Sequence, residues 1–159
     1  MESLGFQRIK ELFDYDPDTG EVSRKIKYGK RGQEGHIFES SSIKIDGKWV
    51  RIGRIAWVLH HEDWPPDGYW IDHINGIKAD NRIVNLRLAT PTQNQQNKAG
   101  FGAHSKGVTW RDRQSKPWQA KIRVNGQRVH LGSFATKEEA SNAYREAALK
   151  YHGEFACIK

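Results

Sequence analysis

The C-terminal third of the chain leaves little freedom about its fold. Val108 and Trp110 alternate with Thr109, Arg111 and Arg113; Trp118, Ala120, Ile122 and Val124 alternate with Gln119, Lys121 and Arg123; Val129 and Leu131 alternate with Arg128 and His130. Successive strand residues point to opposite faces, so these runs read as three strands, each with an apolar face and a basic or polar face. Asn125-Gly126 joins the second and third as a tight hairpin, both residues tolerating the positive φ that such a turn needs. Thr136-Lys137-Glu138-Glu139 is a capping box. It opens a helix to about Tyr151, whose Ala140, Ala143, Tyr144, Ala147 and Tyr151 make a small, flat face fit to lie on the sheet. The uncovered sheet face then carries Arg111, Arg113, Lys121, Arg123, Arg128 and His130, a basic surface wide enough for a DNA major groove.

The charge is uneven in the same sense. Residues 1–99 hold 15 Lys and Arg against 14 Asp and Glu, whereas residues 100–159 hold 11 against 5. Nearly all of the net +7 therefore lies in the second part, which favours a polyanionic partner there and leaves the first part to act on what the second holds. Ala99-Gly100-Phe101-Gly102-Ala103 is the flexible piece between the two. We read domains over 1–99 and 106–159. The lone Cys157 excludes an internal disulfide framework and a Cys-rich zinc site and points to a reduced, cytoplasmic setting. No run is long and apolar enough for a membrane span, and Met1-Glu2-Ser3 does not open a secretory signal.

In the first part, residues 3–13 read as an amphipathic helix with Phe6, Ile9, Leu12 and Phe13 on one side. Tyr15 to Gly20 is a turn, and a strand begins within Glu21 to Lys25. The basic run Arg24, Lys25, Lys27, Lys30 and Arg31 reads equally as a solvated loop or as phosphate contacts. Ser42 to Ile45 and Lys48 to Ile52 flank the hairpin signal Asp46-Gly47, and Arg54 to His61 reads as a helix ended before Trp64-Pro65-Pro66. His60 and His61 sit at a helix end, where a cation suits the dipole, so a structural role outweighs a ligand role.

The chemistry-bearing stretch runs from Asp72 to Asn94. Trp70 to His73 and Leu86 to Ala89 read as short strands around a polar loop that opens on Asn75-Gly76. Thr90 is a good N-cap, Pro91 suits the first helical position, and Gln93 completes a capping box. Asn94 then lies on the first turn of a short helix. A strand-loop-strand-helix of this size can bring Asp72, His73 and Asn94 together.

On Asp72-His73, the run Asp80-Asn81-Arg82, the pair Asn85-Leu86, and Asn94, this stretch resembles the ββα-metal motif of the HNH endonucleases, in the subclass of phage homing enzymes. The resemblance implies that His73 is the general base and that Asn85 ties down the loop. Asn94 stands where the last histidine would be. Asp72 and Asn94 become oxygen ligands, a set that suits Mg²⁺ or Mn²⁺ better than zinc. Arg82 and Arg87 read equally as phosphate contacts or as surface residues. A calcium loop is disfavoured because Ile74 stands two residues after Asp72.

The second part is similar to the Apetala or ethylene-response-factor type DNA-binding domain. The matching residues are Lys106-Gly107-Val108, Trp118-Gln119-Ala120-Lys121-Ile122, Leu131-Gly132-Ser133-Phe134, Glu139-Ala140, Ala143-Tyr144, Ala147-Ala148 and His152-Gly153-Glu154-Phe155-Ala156. That resemblance implies DNA contacts at Lys106, Thr109, Arg111, Arg113, Lys121, Arg123, Arg128 and His130. Thr109 replaces a usual arginine and His130 a usual tryptophan, so the plant-type target does not carry over.

The expected fold is therefore α+β, a ββα-metal nuclease domain followed by a three-stranded antiparallel sheet packed on one helix. The expected function is metal-dependent cleavage of double-stranded DNA by a homing-type endonuclease, leaving a 5′-phosphate and a 3′-hydroxyl. A monomer with one such site nicks, and a homodimer cuts both strands. The alternative is a non-catalytic DNA-binding regulator. An RNA-binding protein is less favoured, because the basic face lacks an exposed aromatic platform.

Overall fold

The computed structural model describes residues 5–27, 33–100, 105–112 and 115–158. Lys30 and Arg31 of the basic run, residues 101–103 of the expected linker, and Arg113 lie outside the described residues. The chain divides into two compact units, Met1–Pro91 and Thr92–Lys159, a division that falls at the start of the short helix after the second ββα strand.

In the first unit, α1 (Phe6–Leu12) buries Ile9 and Leu12. It stops one residue before the expected end, because Phe13 enters an antiparallel pair between β1 (Phe13–Tyr15) and β2 (Val22–Arg24), opposite Arg24. A strand ladder here outcompetes the helical period. β3 (Ser42–Ile45) and β4 (Lys48–Arg51) form the hairpin at Asp46-Gly47, with φ of 44° and 82°. α2 (Ile52–His61) leaves β4 without a loop and buries Ile52, Gly53, Ile55, Ala56 and Val58. These side chains join Ile9, Leu12, Phe13, Val22, Ile43, Ile45, Val50 and Leu86 in one core. Each large aliphatic member contributes about 1.5–3 kcal/mol by burial. His61 stacks on Trp57 at 3.8 Å between centroids, with Nδ1 3.1 Å from the Trp57 carbonyl, so the helix end holds its own histidine.

That core backs the antiparallel pair of β5 (Trp70–His73) and β6 (Leu86–Ala89). β5 ends at His73, where the Gly76 N–H donates to the His73 carbonyl and turns the chain. The loop closes through a 3₁₀ turn at Ile83–Asn85.

The second unit, which takes all of α3 (Pro91–Asn97) but its first residue, continues into a sheet of order β7-β8-β9, formed by Val108–Trp110, Trp118–Val124 and Gln127–Phe134. β8 and β9 are joined at Asn125-Gly126, with φ of 49° and 81°. Register runs evenly from Val124↔Gln127 to Lys121↔His130, then shifts so that Ala120 faces Gly132. Leu131 is the extra residue of this bulge, and the bulge carries β9 three residues past the expected alternation to Phe134. α4 (Lys137–His152) starts on the expected capping box: the Glu139 N–H donates to the Thr136 side chain, and the Glu139 carboxylate accepts from the Thr136 N–H. Ala140, Tyr144, Ala147 and Ala148 pack on Val108, Ala120 and Ile122. Among the described residues no helix is long and apolar enough to cross a membrane.

Candidate active site

β5 and β6 bring Asp72 and Arg87 into direct register. The Arg87 Nε–H donates to Asp72 Oδ2 at 3.0 Å, and its terminal nitrogen lies equally close. Both side chains are nearly covered, at 12% exposure for Arg87 and 6% for Asp72. A covered carboxylate needs such a partner, because removing either charge leaves the other stranded. Arg87 is thus a carboxylate partner in this structure.

His73 follows directly. Its Nε2 lies 3.0 Å from Oδ1 of Asn81, a buried side chain. Gly53 of α2 stands over the pair: a Cβ there would lie 3.0 Å from Asn81 Oδ1 and 3.2 Å from His73 Cε1. The Tyr15 hydroxyl donates to the Asn81 carbonyl at 2.7 Å. Burial pushes the Tyr15 hydroxyl up to about 12, with the neighbouring carboxylates of Asp16, Asp18 and Asp80 adding to the shift. Gly20, at φ 81°, lets the β1–β2 turn press against this segment, since a Cβ would fall 2.5 Å from the Arg82 nitrogen.

Asn85 is buried and spans the loop. Its Oδ1 accepts from the Asn75 N–H at 3.0 Å, its Nδ2 donates to the Asp80 carbonyl at 2.7 Å, and its own carbonyl accepts from the Ile74 N–H at 2.9 Å. These bonds fix the start and the end of the loop that leaves His73. Asp80 accepts from Asn75 Nδ2 at 2.7 Å and from Arg82 Nε and a terminal Arg82 nitrogen at 2.8 and 2.7 Å. The Arg82 guanidinium, above all, holds the Asp80 carboxyl down at about 2. Arg82 is therefore also paired within the loop.

Asn94 lies on α3, in the second unit. Among the described residues no three His, Cys, Asp or Glu side chains gather as a metal cage. By residue type, Asp72 offers a carboxylate oxygen and Asn94 an amide oxygen, both hard donors.

Of the expected DNA contacts, Thr109 is exposed on β7 and Arg111 is exposed just after it. Lys121 and Arg123 on β8 face His130 and Arg128 on β9 in register, and Arg123, Arg128 and His130 are exposed. Lys106 departs from this set. Its ammonium donates to the carbonyls of Gln95, Gln96 and Lys98 at the end of α3, and burial lowers its pKa. A half-buried amine fixed on three carbonyls caps that helix and is not presented with the exposed basic row. The residues missed from sequence are Asn81, Asp80, Tyr15, Gly20 and Gly53. The Asp80-Asn81-Arg82 run was the one available signal, and it carried no role.

The HNH endonuclease family matches residues 51–96, the span from the end of β4 through most of α3. An HNH endonuclease of Acanthamoeba polyphaga mimivirus (L560) is 34% identical over 114 residues, covering 72% of this chain and 59% of that protein. Protein 3.8 of Escherichia phage T7 is 31% identical over 94 residues, covering 57% of this chain and 76% of that protein. The AP2-like ethylene-responsive transcription factor AIL7 of Arabidopsis thaliana is 52% identical over 50 residues, covering 30% of this chain and 10% of that protein. No solved structure matches the chain.

Proposed function

We propose that this chain, which belongs to the HNH endonuclease family, is a metal-dependent endonuclease acting on double-stranded DNA, of homing type. The observation that carries the reading is the adjacency of a buried, arginine-paired Asp72 and an amide-held His73 at the end of β5, on a loop bound at both ends by Asn85. His73 accepts the proton of the attacking water; a histidine suits that task near neutral pH. Asn85 keeps the loop in place and so keeps the ring in place. Asp72 and Asn94 would hold Mg²⁺ or Mn²⁺, which supplies positive charge at the phosphate and the departing 3′ oxygen. We assign the nuclease role to residues 1–99 and DNA holding to residues 106–159. The holding set is Thr109, Arg111, Arg113, Lys121, Arg123, Arg128 and His130. Similarity to AP2-like factors over 50 residues supports DNA as the partner. One such site nicks, and a homodimer would cut both strands.

The same similarity favours the second reading, a DNA-binding regulator without catalysis. Supercoiled plasmid incubated with Mg²⁺, Mn²⁺ or EDTA separates the two. The nuclease reading expects open circles that vanish with EDTA and with His73→Ala. Plasmid and host genomic DNA left intact in every condition, with binding retained, would establish the regulator.

A further inference from the structure

We infer that Asn81 is the positioning residue of the His73 base: its side-chain oxygen holds the Nε2 proton and leaves the basic lone pair on Nδ1. The inference rests on the nuclease reading and deepens it. Asn81 Oδ1 lies 3.0 Å from His73 Nε2, while Asn81 Nδ2 is directed at the Ala79 carbonyl, 3.4 Å away. The amide is thereby oriented, with its acceptor toward the ring. An acceptor at Nε2 selects the neutral imidazole that carries its hydrogen there, and the second nitrogen of that tautomer is the proton acceptor.

The surroundings make Asn81 a built support. It is 6% exposed. Its backbone is held by Tyr15 from a residue 66 positions away, and by the close approach of Gly20. On the ring side, Gly53 gives the pair its room, since a Cβ would press on both Asn81 Oδ1 and the His73 ring at 3.0–3.3 Å. A neutral amide in this place orients the ring without adding a second carboxylate beside Asp72. The turn, the loop and α2 thus converge on one hydrogen bond whose direct effect is on the imidazole.

The test uses the full chain with Asn81→Ala and Asn81→Asp. Both leave the backbone carbonyl that Tyr15 bonds. One readout is the ¹⁵N NMR tautomer of His73 at about pH 8, above the ordinary imidazole range. Its signals are assigned among the seven histidines by their loss in His73→Ala. The other is nicking of supercoiled plasmid in Mg²⁺, with kcat separated from KM. The expected wild type carries the proton on Nε2. Asn81→Ala is expected to mix the tautomers and lower kcat by about tenfold or more, with KM unchanged. Asn81→Asp, which keeps an oxygen acceptor, is expected to restore the Nε2–H form. A wild-type ring protonated on Nδ1, or an Asn81→Ala variant with unchanged tautomer and kcat, would overturn the inference. A wild type that cuts no DNA would overturn the nuclease reading and, with it, the catalytic part of this role. The tautomer would still decide the hydrogen bond.

Discussion

The loop between β5 and β6 and the outer face of the three-stranded sheet are both polar, and they handle polarity in opposite ways. At the strand ends that hold the loop, Asp72 meets Arg87; within it, Asp80 meets Arg82, and Asn75, Asn81 and Asn85 bond to named partners. On the sheet, Arg123 stands opposite Arg128 and Lys121 opposite His130, and strands β7 to β9 contain no Asp or Glu. Like charges directly opposite one another weaken a sheet unless an anion lies over them. The first arrangement fixes side chains where chemistry needs fixed geometry. The second leaves positive charge displayed for a partner that brings its own negative charge.

If the loop is a closed network, cutting it should damage the fold locally. Asn85→Ala strands the Asn75 N–H and the Asp80 carbonyl, each orphan costing about 1–3 kcal/mol. A loss of about 2–6 kcal/mol in denaturant unfolding is expected, together with loss of nicking. Unchanged stability would mean that Asn85 does not bind the loop in solution.

On the sheet the expected effect is smaller and of another kind. Arg128→Ala relieves the Arg123–Arg128 juxtaposition, so stability should hold or rise slightly. DNA affinity should fall by about tenfold, and the dependence of log K on log salt should become less steep by about 0.9. An unchanged affinity and salt slope would remove Arg128 from the DNA-holding set.

The smallest effect concerns acid. The folded-state pKa of Asp80 is lowered to about 2 from an ordinary 3.8, so its ion pair with Arg82 stabilises the loop above about pH 4. That contribution is lost as the pH falls from 4 toward 2. Asp80→Asn should remove this part of the acid dependence, read by urea unfolding at stepped pH. An identical acid profile in the variant would separate Asp80 from loop stability.

The local signals in the chain were strong where one short segment decides its own shape. Asp46-Gly47, Asn125-Gly126 and the Thr136–Glu139 capping box each produced the turn or helix start that their chemistry demands. The strands Trp70–His73 and Leu86–Ala89 were legible for the same reason. What was hidden depends on partners distant in sequence. Phe13 completes a helical face by spacing, yet it pairs as a strand with Arg24. Leu131 continues an alternation, yet it is the unpaired residue of a bulge. Lys106 is an isolated cation beside Gly107 in the sequence, and only folding shows its ammonium on the α3 carbonyls. Tyr15, Gly20 and Gly53 converge on Asn81 from segments that carry no mark of one another. For the site, Asp72 and His73 stand out as residue types, whereas Asn81 looks like ordinary turn chemistry until its distance to the imidazole is known.

The most direct measurement sets the two regions against each other in one experiment. Nicking of supercoiled plasmid in Mg²⁺ and binding to a fluorescein-labelled duplex made from the same plasmid are read for wild type, His73→Ala and Arg128→Ala. The expected result is a clean separation. His73→Ala loses nicking by about 100-fold or more with unchanged Kd. Arg128→Ala raises Kd while nicking at saturating protein stays near wild type. If His73→Ala weakened binding as much as cutting, or if Arg128→Ala lost cutting at saturation, chemistry and holding would not be divided between the loop and the sheet.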